Sequence, residues 1–315
     1  MQGIHDRQAR LLLRVLDCLE YETPDKEPLF ALTGGAALNF FAQPLPRLSV
    51  NIDLAYCPLD EQEPALAAMR SGLQHLTQVL CARLSGAQCE HTQHEAGDHL
   101  LVRHNGVTVK VEPGGFVRGA VFPTETRRLC QEARLAYKTT VSARCLSEAD
   151  LYGGKICAAL DRHHPRDYFD LLPLKRRGVL DEKIRKAFLA YALSHPRPLA
   201  ELLDPHPPPM KEKLRAELSD MTHEPVSMKT LEHVRTWILQ AIRTGLTPDE
   251  RWFLRSVEAE EPIWALAGLP AHVPHLPAVR RKLQNMAELR QHPEKHKESL
   301  AKLEKSLFSS AEMQA

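Results

Sequence analysis

Leu29-Phe30-Ala31-Leu32-Thr33-Gly34-Gly35-Ala36-Ala37-Leu38, followed shortly by Ser49-Val50-Asn51-Ile52-Asp53-Leu54, joins a glycine turn to an acidic strand. The apolar run Leu29 to Leu32 reads as a short buried strand, and Ala36 to Phe41 as the opening of a helix. Two glycines between them allow positive φ and close backbone approach, and the helix start presents free N–H groups to an anion. The next predicted strand, Ser49 to Tyr56, alternates so that Ser49, Asn51 and Asp53 share one face while Val50, Ile52 and Leu54 share the other. A polar row beside a phosphate cradle suits a nucleotide and its divalent ion. The bland reading of the glycines alone is a tight turn.

The chain has 315 residues, enough for two domains with a sizeable core. Its hydrophobic and charged fractions, 43% and 26%, are those of an ordinary globular protein, and a net charge of +1 gives no bulk preference for a polyanion. Any nucleic-acid footprint must therefore be local. Seven cysteines, Cys18, Cys57, Cys81, Cys89, Cys130, Cys145 and Cys157, are scattered without a C-x-x-C pair, a reduced intracellular pattern that argues against zinc. The start of the chain lacks a signal-peptide profile, and no apolar run reaches the roughly 18–20 residues of a membrane span. A cytoplasmic protein is expected.

Leu11, Leu12, Val15, Leu16 and Leu19 make residues 7–20 an amphipathic helix, and a long helix is predicted from about Pro58 to Leu84. Three β-prone runs follow, 88–93, 99–104 and 106–112, the last two joined by the hairpin signal His104-Asn105-Gly106. Residues 113–145 give no clear assignment. Ser147 is an N-cap for a helix to about Arg162, and beyond about 178 the sequence is helical. A proline-rich stretch, 205–209, reads as a connection. Leu231, Val234, Trp237, Ile238 and Ile242 mark a helix over 227–243, Thr247-Pro248-Asp249-Glu250 a capping box, and 280–307 a charged terminal helix.

A second chemically loaded stretch runs from Lys155 to Arg177, with six Lys or Arg, two His and three Asp. Lys155 stands among Ile156, Cys157, Ala158 and Ala159, where solubility does not require it, so it is expected to reach a carboxylate or a phosphate. A snorkelling surface lysine is the bland alternative. Asp167 and Asp170, three apart, face one side of a helix and are placed to orient Arg166, Lys155 or a metal-bound water. Asp167 reads first as a first-turn acid after Pro165. Asp170, inside Tyr168-Phe169 and Leu171-Leu172, is less suited to a solvated role.

Together, the segments at 32–38, 47–54, 155–162 and 166–171 resemble the AbiEii/AbiGii family, nucleotidyltransferase-like toxins of bacterial toxin–antitoxin systems related to the MenT toxins. The resemblance spans roughly residues 28–178. It implies an α+β fold: a DNA polymerase β-like mixed-sheet nucleotidyltransferase lobe over 1–178, then an all-helical C-terminal lobe over 179–315, with the acceptor in the cleft between them. The implied activity is transfer of a nucleotide from an NTP to RNA, with the tRNA acceptor end as the leading candidate, assisted by Mg²⁺. A cognate antitoxin is implied as partner. Carried over by position, Gly34, Gly35, Ser49, Lys155 and Arg166 would bind phosphates; Asp53, Lys155 and Asp170 would be catalytic; Asp53, Asn51 and Glu112 would face the metal. For Glu112 the bland reading is an exposed acid at a strand end. Such chemistry relies on positioning and charge neutralisation, which acidic metal ligands and a phosphate-holding lysine supply.

Asn51 departs from the pattern, which has an aspartate there. The amide keeps an acceptor oxygen but loses the charge, and so binds a hard cation less well. A one-metal site from Asp53 and Glu112, a crippled or repurposed enzyme, and an engineered inactivating change are all compatible with it. Two further readings are a non-catalytic nucleotide-binding or interaction protein of the same fold, and transfer to a protein or small-molecule acceptor. The basic residues Arg162, His163, His164, Arg166, Lys175, Arg176 and Arg177 favour a polyanion.

Overall fold

The computed structural model describes residues 3–19, 28–93, 97–207, 209–210, 217–222, 225–289 and 293–308. The chain forms two compact units, one of Met1–Leu151 with Ala216–Pro225, the other of Tyr152–Arg215 with Val226–Ala315. The sequence reading put a single boundary near 178. By compactness the division falls earlier, inside one helix, and a later segment returns to the first unit.

The first unit is built on a seven-stranded mixed sheet, ordered β3-β4-β5-β2-β1-β7-β6. Its strands are β1 Phe30–Thr33, β2 Asn51–Tyr56, β3 Gln88–Thr92, β4 His99–His104, β5 Val107–Arg118, β6 Glu125–Arg128 and β7 Ser142–Cys145. β2 lies antiparallel to β1 and parallel to β5, so the middle of the sheet carries the acidic strand. β2 begins two residues later than its alternation suggests, leaving Ser49 and Val50 in the segment that enters it. The β4–β5 hairpin forms where the sequence predicts it: Asn105 and Gly106 both take positive φ, 48° and 72°, the geometry a two-residue turn between twisted strands requires. Residues 113–145, which gave no assignment, hold the end of β5, β6, the helix α4 (Gln131–Tyr137) and β7.

Helix α1 (Ile4–Leu16) buries Leu11, Leu12, Val15 and Leu16, and Gln8 reaches the Thr108 carbonyl of β5 at 3.1 Å. The short helix α2 (Gly34–Ala37) leaves β1 and runs into a π-helical turn, Leu38–Ala42, in which Asn39 Nδ2 donates to the Gly35 carbonyl at 2.9 Å. The long helix α3 spans Gln62–Arg83, as expected. Helix α5 (Glu148–Arg162) starts in the first unit, where Ser147 Oγ caps the Asp150 amide at 3.0 Å and the Asp150 carboxylate accepts the amides of Val121 and Phe122 at 2.8 and 3.0 Å.

The rest of α5 belongs to the second unit with α6 (Pro165–Asp170), α7 (Leu172–Arg177), α8 (Glu182–Ser194), α9 (Leu199–Leu203), α10 (Met228–Gly245), α11 (Pro248–Glu258), α12 (Trp264–Ala267), α13 (Pro277–Leu289) and α14 (Pro293–Leu307). In α10, Leu231, Val234, Ile238 and Ile242 are buried as their spacing predicts, and Trp237 is half-buried. Thr247 and Glu250 close the capping box, at 3.2 and 2.9 Å. The predicted terminal helix over 280–307 is instead α13 and α14, the second opened by Pro293, whose fixed φ and missing N–H suit a first turn. Residues 290–292 lie outside the described residues. In the proline stretch Pro208 is also outside them, and the described residues of 205–209 form neither helix nor strand.

Candidate active site

The sequence-predicted residues fall into two clusters, one in each unit. In the first, Gly34 opens α2 with φ 66°, a conformation that favours glycine. A β-carbon at Gly34 would overlap the Asp53 carboxylate. One at Gly35 would stand 2.8 Å from Arg47 Nη2 and 3.1 Å from Ser49 Oγ. The two glycines therefore do more than turn the chain: each is pressed against a side chain of the strand segment that follows. Gly34, Gly35, Ser49 and Asp53 are brought together, and Arg47 joins them. Sequence reasoning gave Arg47 no role; the signal was an arginine two residues before Ser49.

Arg47 and Ser49 are buried, at 4% and 8% exposure. Arg47 Nη1 donates to the Leu48 carbonyl at 2.8 Å. The same segment is held from outside by the returning chain: the Leu48 amide donates to the Met221 carbonyl at 2.8 Å, and Arg47 and Thr222 form an isolated antiparallel bridge.

Across the sheet, Asp53 pairs with Thr33 of β1 and with Glu112 of β5, and Asn51 pairs with Lys110. Paired positions of neighbouring strands point to the same face, so Asp53 and Glu112 form a carboxylate pair with Asn51 beside it. Glu112 lies within β5 and not at a strand end, its carboxylate is 39% exposed, and Lys110 Nζ is 2.6 Å from its Oε1. Among the described residues no group of three or more His, Cys, Asp or Glu is placed to hold a metal. Two carboxylates and an amide oxygen are nonetheless oxygen donors of the kind a hard divalent cation takes.

In the second cluster Lys155, 8% exposed, places its ammonium 3.1 Å from Asp167 Oδ1 and 3.0 Å from Asp170 Oδ2. Arg162 grips the same Asp167 through Nε and Nη2, at 2.6 and 2.8 Å. The expectation that Lys155 reaches a carboxylate is met twice over. Asp167 is in the first turn of α6, as read, but it is 1% exposed and is shared by two cations: Lys155, which it was placed to orient, and Arg162, which the sequence did not indicate. Burial alone would push its pKa up; Lys155 and Arg162 outweigh that and hold it well below the usual carboxylate range. Arg166 is half-buried on the same turn, its amide donating to His164 Nδ1, the helix cap, at 3.1 Å. His163, at φ 50°, meets the Tyr168 hydroxyl at 2.7 Å, and burial lowers its pKa.

All seven cysteines are free, and no described helix is long and apolar enough to cross a membrane. A mixed sheet with a glycine turn feeding a helix, an acidic strand beside it and a helical C-terminal region is the architecture of nucleotidyltransferases. Among solved structures, MenT4, a nucleotidyltransferase toxin from Mycobacterium tuberculosis H37Rv, shares this fold with a TM-score of 0.54 at 17% identity, over 90% of this chain and 94% of that one. A sequence comparison with curated proteins finds no match. The sequence model of a family described as nucleotidyl transferase AbiEii toxin, type IV toxin–antitoxin system, matches residues 14–256, and the chain belongs to that family. Membership brings a nucleotide substrate and an antitoxin partner with it.

Proposed function

We propose that the protein transfers a nucleotide from an NTP to RNA, at the acceptor end of tRNA, with Mg²⁺. The observation that carries this reading is the packing of Gly34 on Asp53 and of Gly35 on Arg47 and Ser49. It sets backbone amides, a hydroxyl and a guanidinium beside a metal-type carboxylate, as a triphosphate requires. Gly34, Gly35 and Ser49 take phosphate oxygens. Mg²⁺ held by Asp53, Asn51 and Glu112 would neutralise charge on the triphosphate.

Lys155 and Arg166 bind phosphates, and Asp170 completes the catalytic set with Asp53 and Lys155 as its distal acid, a reading supported by its 3.0 Å contact with the Lys155 ammonium. By this reading the catalytic domain runs over 1–178, since its motifs lie in both compact units, and 179–315 is a helical domain. RNA as acceptor is supported by the basic run that includes Arg162, Lys175, Arg176 and Arg177. A cytoplasmic setting follows from such a substrate.

The test is incubation with Mg²⁺, each labelled NTP and total RNA. Label in tRNA is the expected result. Label in protein or in a small molecule would replace the acceptor, and NTP binding without transfer would favour the second reading, an impaired nucleotide-binding protein. Asn51 is the observation that keeps that second reading in view.

A further inference from the structure

The residue across the sheet from Asn51 is Lys110, and the next pair along the same two strands is Asp53 with Glu112. Ile52 and Leu54 of β2, and Val109 and Val111 of β5, are fully buried, so the four polar residues occupy the opposite face together. Their composition is unusual for a metal site. An ammonium stands among the oxygen donors, and it takes one oxygen of Glu112 at 2.6 Å. With aspartate at 51, this lysine would have had carboxylates on both sides. With asparagine it has one ion partner in the pair, and its neighbour across the strand is a neutral amide.

We infer that Lys110 is a nucleotide-phosphate-binding residue, its ammonium supplying positive charge where Asn51 weakens the site's hold on a metal ion. This rests on the nucleotidyl-transfer reading above and assigns to the same site a cation of the protein's own. An ammonium has three N–H donors. Glu112 engages one, which leaves donors for phosphate oxygens. Its side chain is 33% exposed, so it is open to an incoming ligand without being a freely solvated surface lysine. Asn51 fits the same role: its amide N–H donates to a phosphate oxygen that an aspartate would repel. The asparagine at 51 and the lysine at 110 thus act in one direction, toward a triphosphate bound with less reliance on metal.

The consequence is measurable without turnover. Equilibrium binding of fluorescent ATP, GTP, CTP and UTP analogues is compared in EDTA and in Mg²⁺, for the intact chain and for Lys110→Met, Lys110→Gln and Lys110→Arg, with folding checked by thermal melts. The intact protein is expected to retain NTP binding in EDTA. Lys110→Met and Lys110→Gln should weaken that binding by about tenfold or more, the loss of one charge-assisted contact, and Lys110→Arg should keep most of it. In a Glu112→Gln background the loss on Lys110→Met should persist, which separates phosphate contact from mere unpairing of Glu112. In an Asn51→Asp background with Mg²⁺ the loss should shrink. If the neutral variants bind NTP in EDTA within twofold of the intact chain, the role of Lys110 is wrong while nucleotide binding stands. If the intact chain binds NTP in neither condition, the transfer reading and this inference fall together.

Discussion

The Asp53 carboxylate occupies the space in which any residue but glycine at position 34 would place its β-carbon. Gly34 also sits at φ 66°, where a side chain is strained whatever its size. Gly34→Ala is therefore expected to cost about 1–3 kcal/mol of stability in urea titrations and to move Asp53 off its position. Asp53→Ala in the same chain should restore part of that loss by removing the overlap. If Gly34→Ala melts like the unmodified protein in both backgrounds, the turn is not packed on the acid as described.

Asn51→Asp adds a charge to the face shared by Asp53 and Glu112. In the presence of Mg²⁺ it should raise nucleotide incorporation, by about tenfold if a carboxylate in place of an amide strengthens the metal site by one such contact. Unchanged incorporation would mean that charge at this position does not limit the reaction.

Lys155→Met removes the ammonium shared by two buried carboxylates, leaving Asp167 to Arg162 alone. The expected loss is about 3–5 kcal/mol, because removing one member of a buried ion pair leaves the other uncompensated. Arg162, which is 58% exposed in its side chain, should matter less, because Lys155 still compensates Asp167 in Arg162→Ala. Equal losses for the two variants by chemical denaturation would contradict the burial of the Lys155 cluster.

The acid limb of stability should carry the signature of Asp167. Its pKa is lowered in the folded state, so its stabilising contribution is fully present above the ordinary carboxylate value of about 3.9 and is lost as the pH falls below it. Urea midpoints of the intact protein should drop steeply as the pH falls below about 4, and Asp167→Asn, though less stable at neutral pH, should show a shallower slope there. A parallel pair of curves would remove Asp167 from that role.

Local signals in the sequence translated directly into structure where a few neighbouring residues decide the outcome. The glycine turn, the Asn105-Gly106 hairpin, the Ser147 cap and the Thr247–Glu250 box are of this kind, and each was legible. The strands between 113 and 145 were not. β6 is a short edge strand with mostly exposed residues and no apolar alternation, and β5 continues through Pro113-Gly114, residues that read as a turn. The pattern around Asp53 was visible through its motif, but the partners across the sheet depend on strand order, which no local pattern reveals. Lys110 opposite Asn51 is one such partner. Asp167 was underestimated for a similar reason: a first-turn acid looks alike in sequence whether it faces water or two cations.

The hold that Met221 and Thr222 keep on Leu48 and Arg47 has a consequence for the order of events in synthesis. The segment that presents Arg47 and Ser49 to the glycine turn is braced by chain made much later, after α5 through α9 have already emerged. A nascent or truncated polypeptide ending before that return carries every residue of the first cluster, yet lacks the backbone contact that fixes two of them. That edge of the first cluster is thus finished late, only once the first stretch of the second unit, Tyr152–Arg215, has been made.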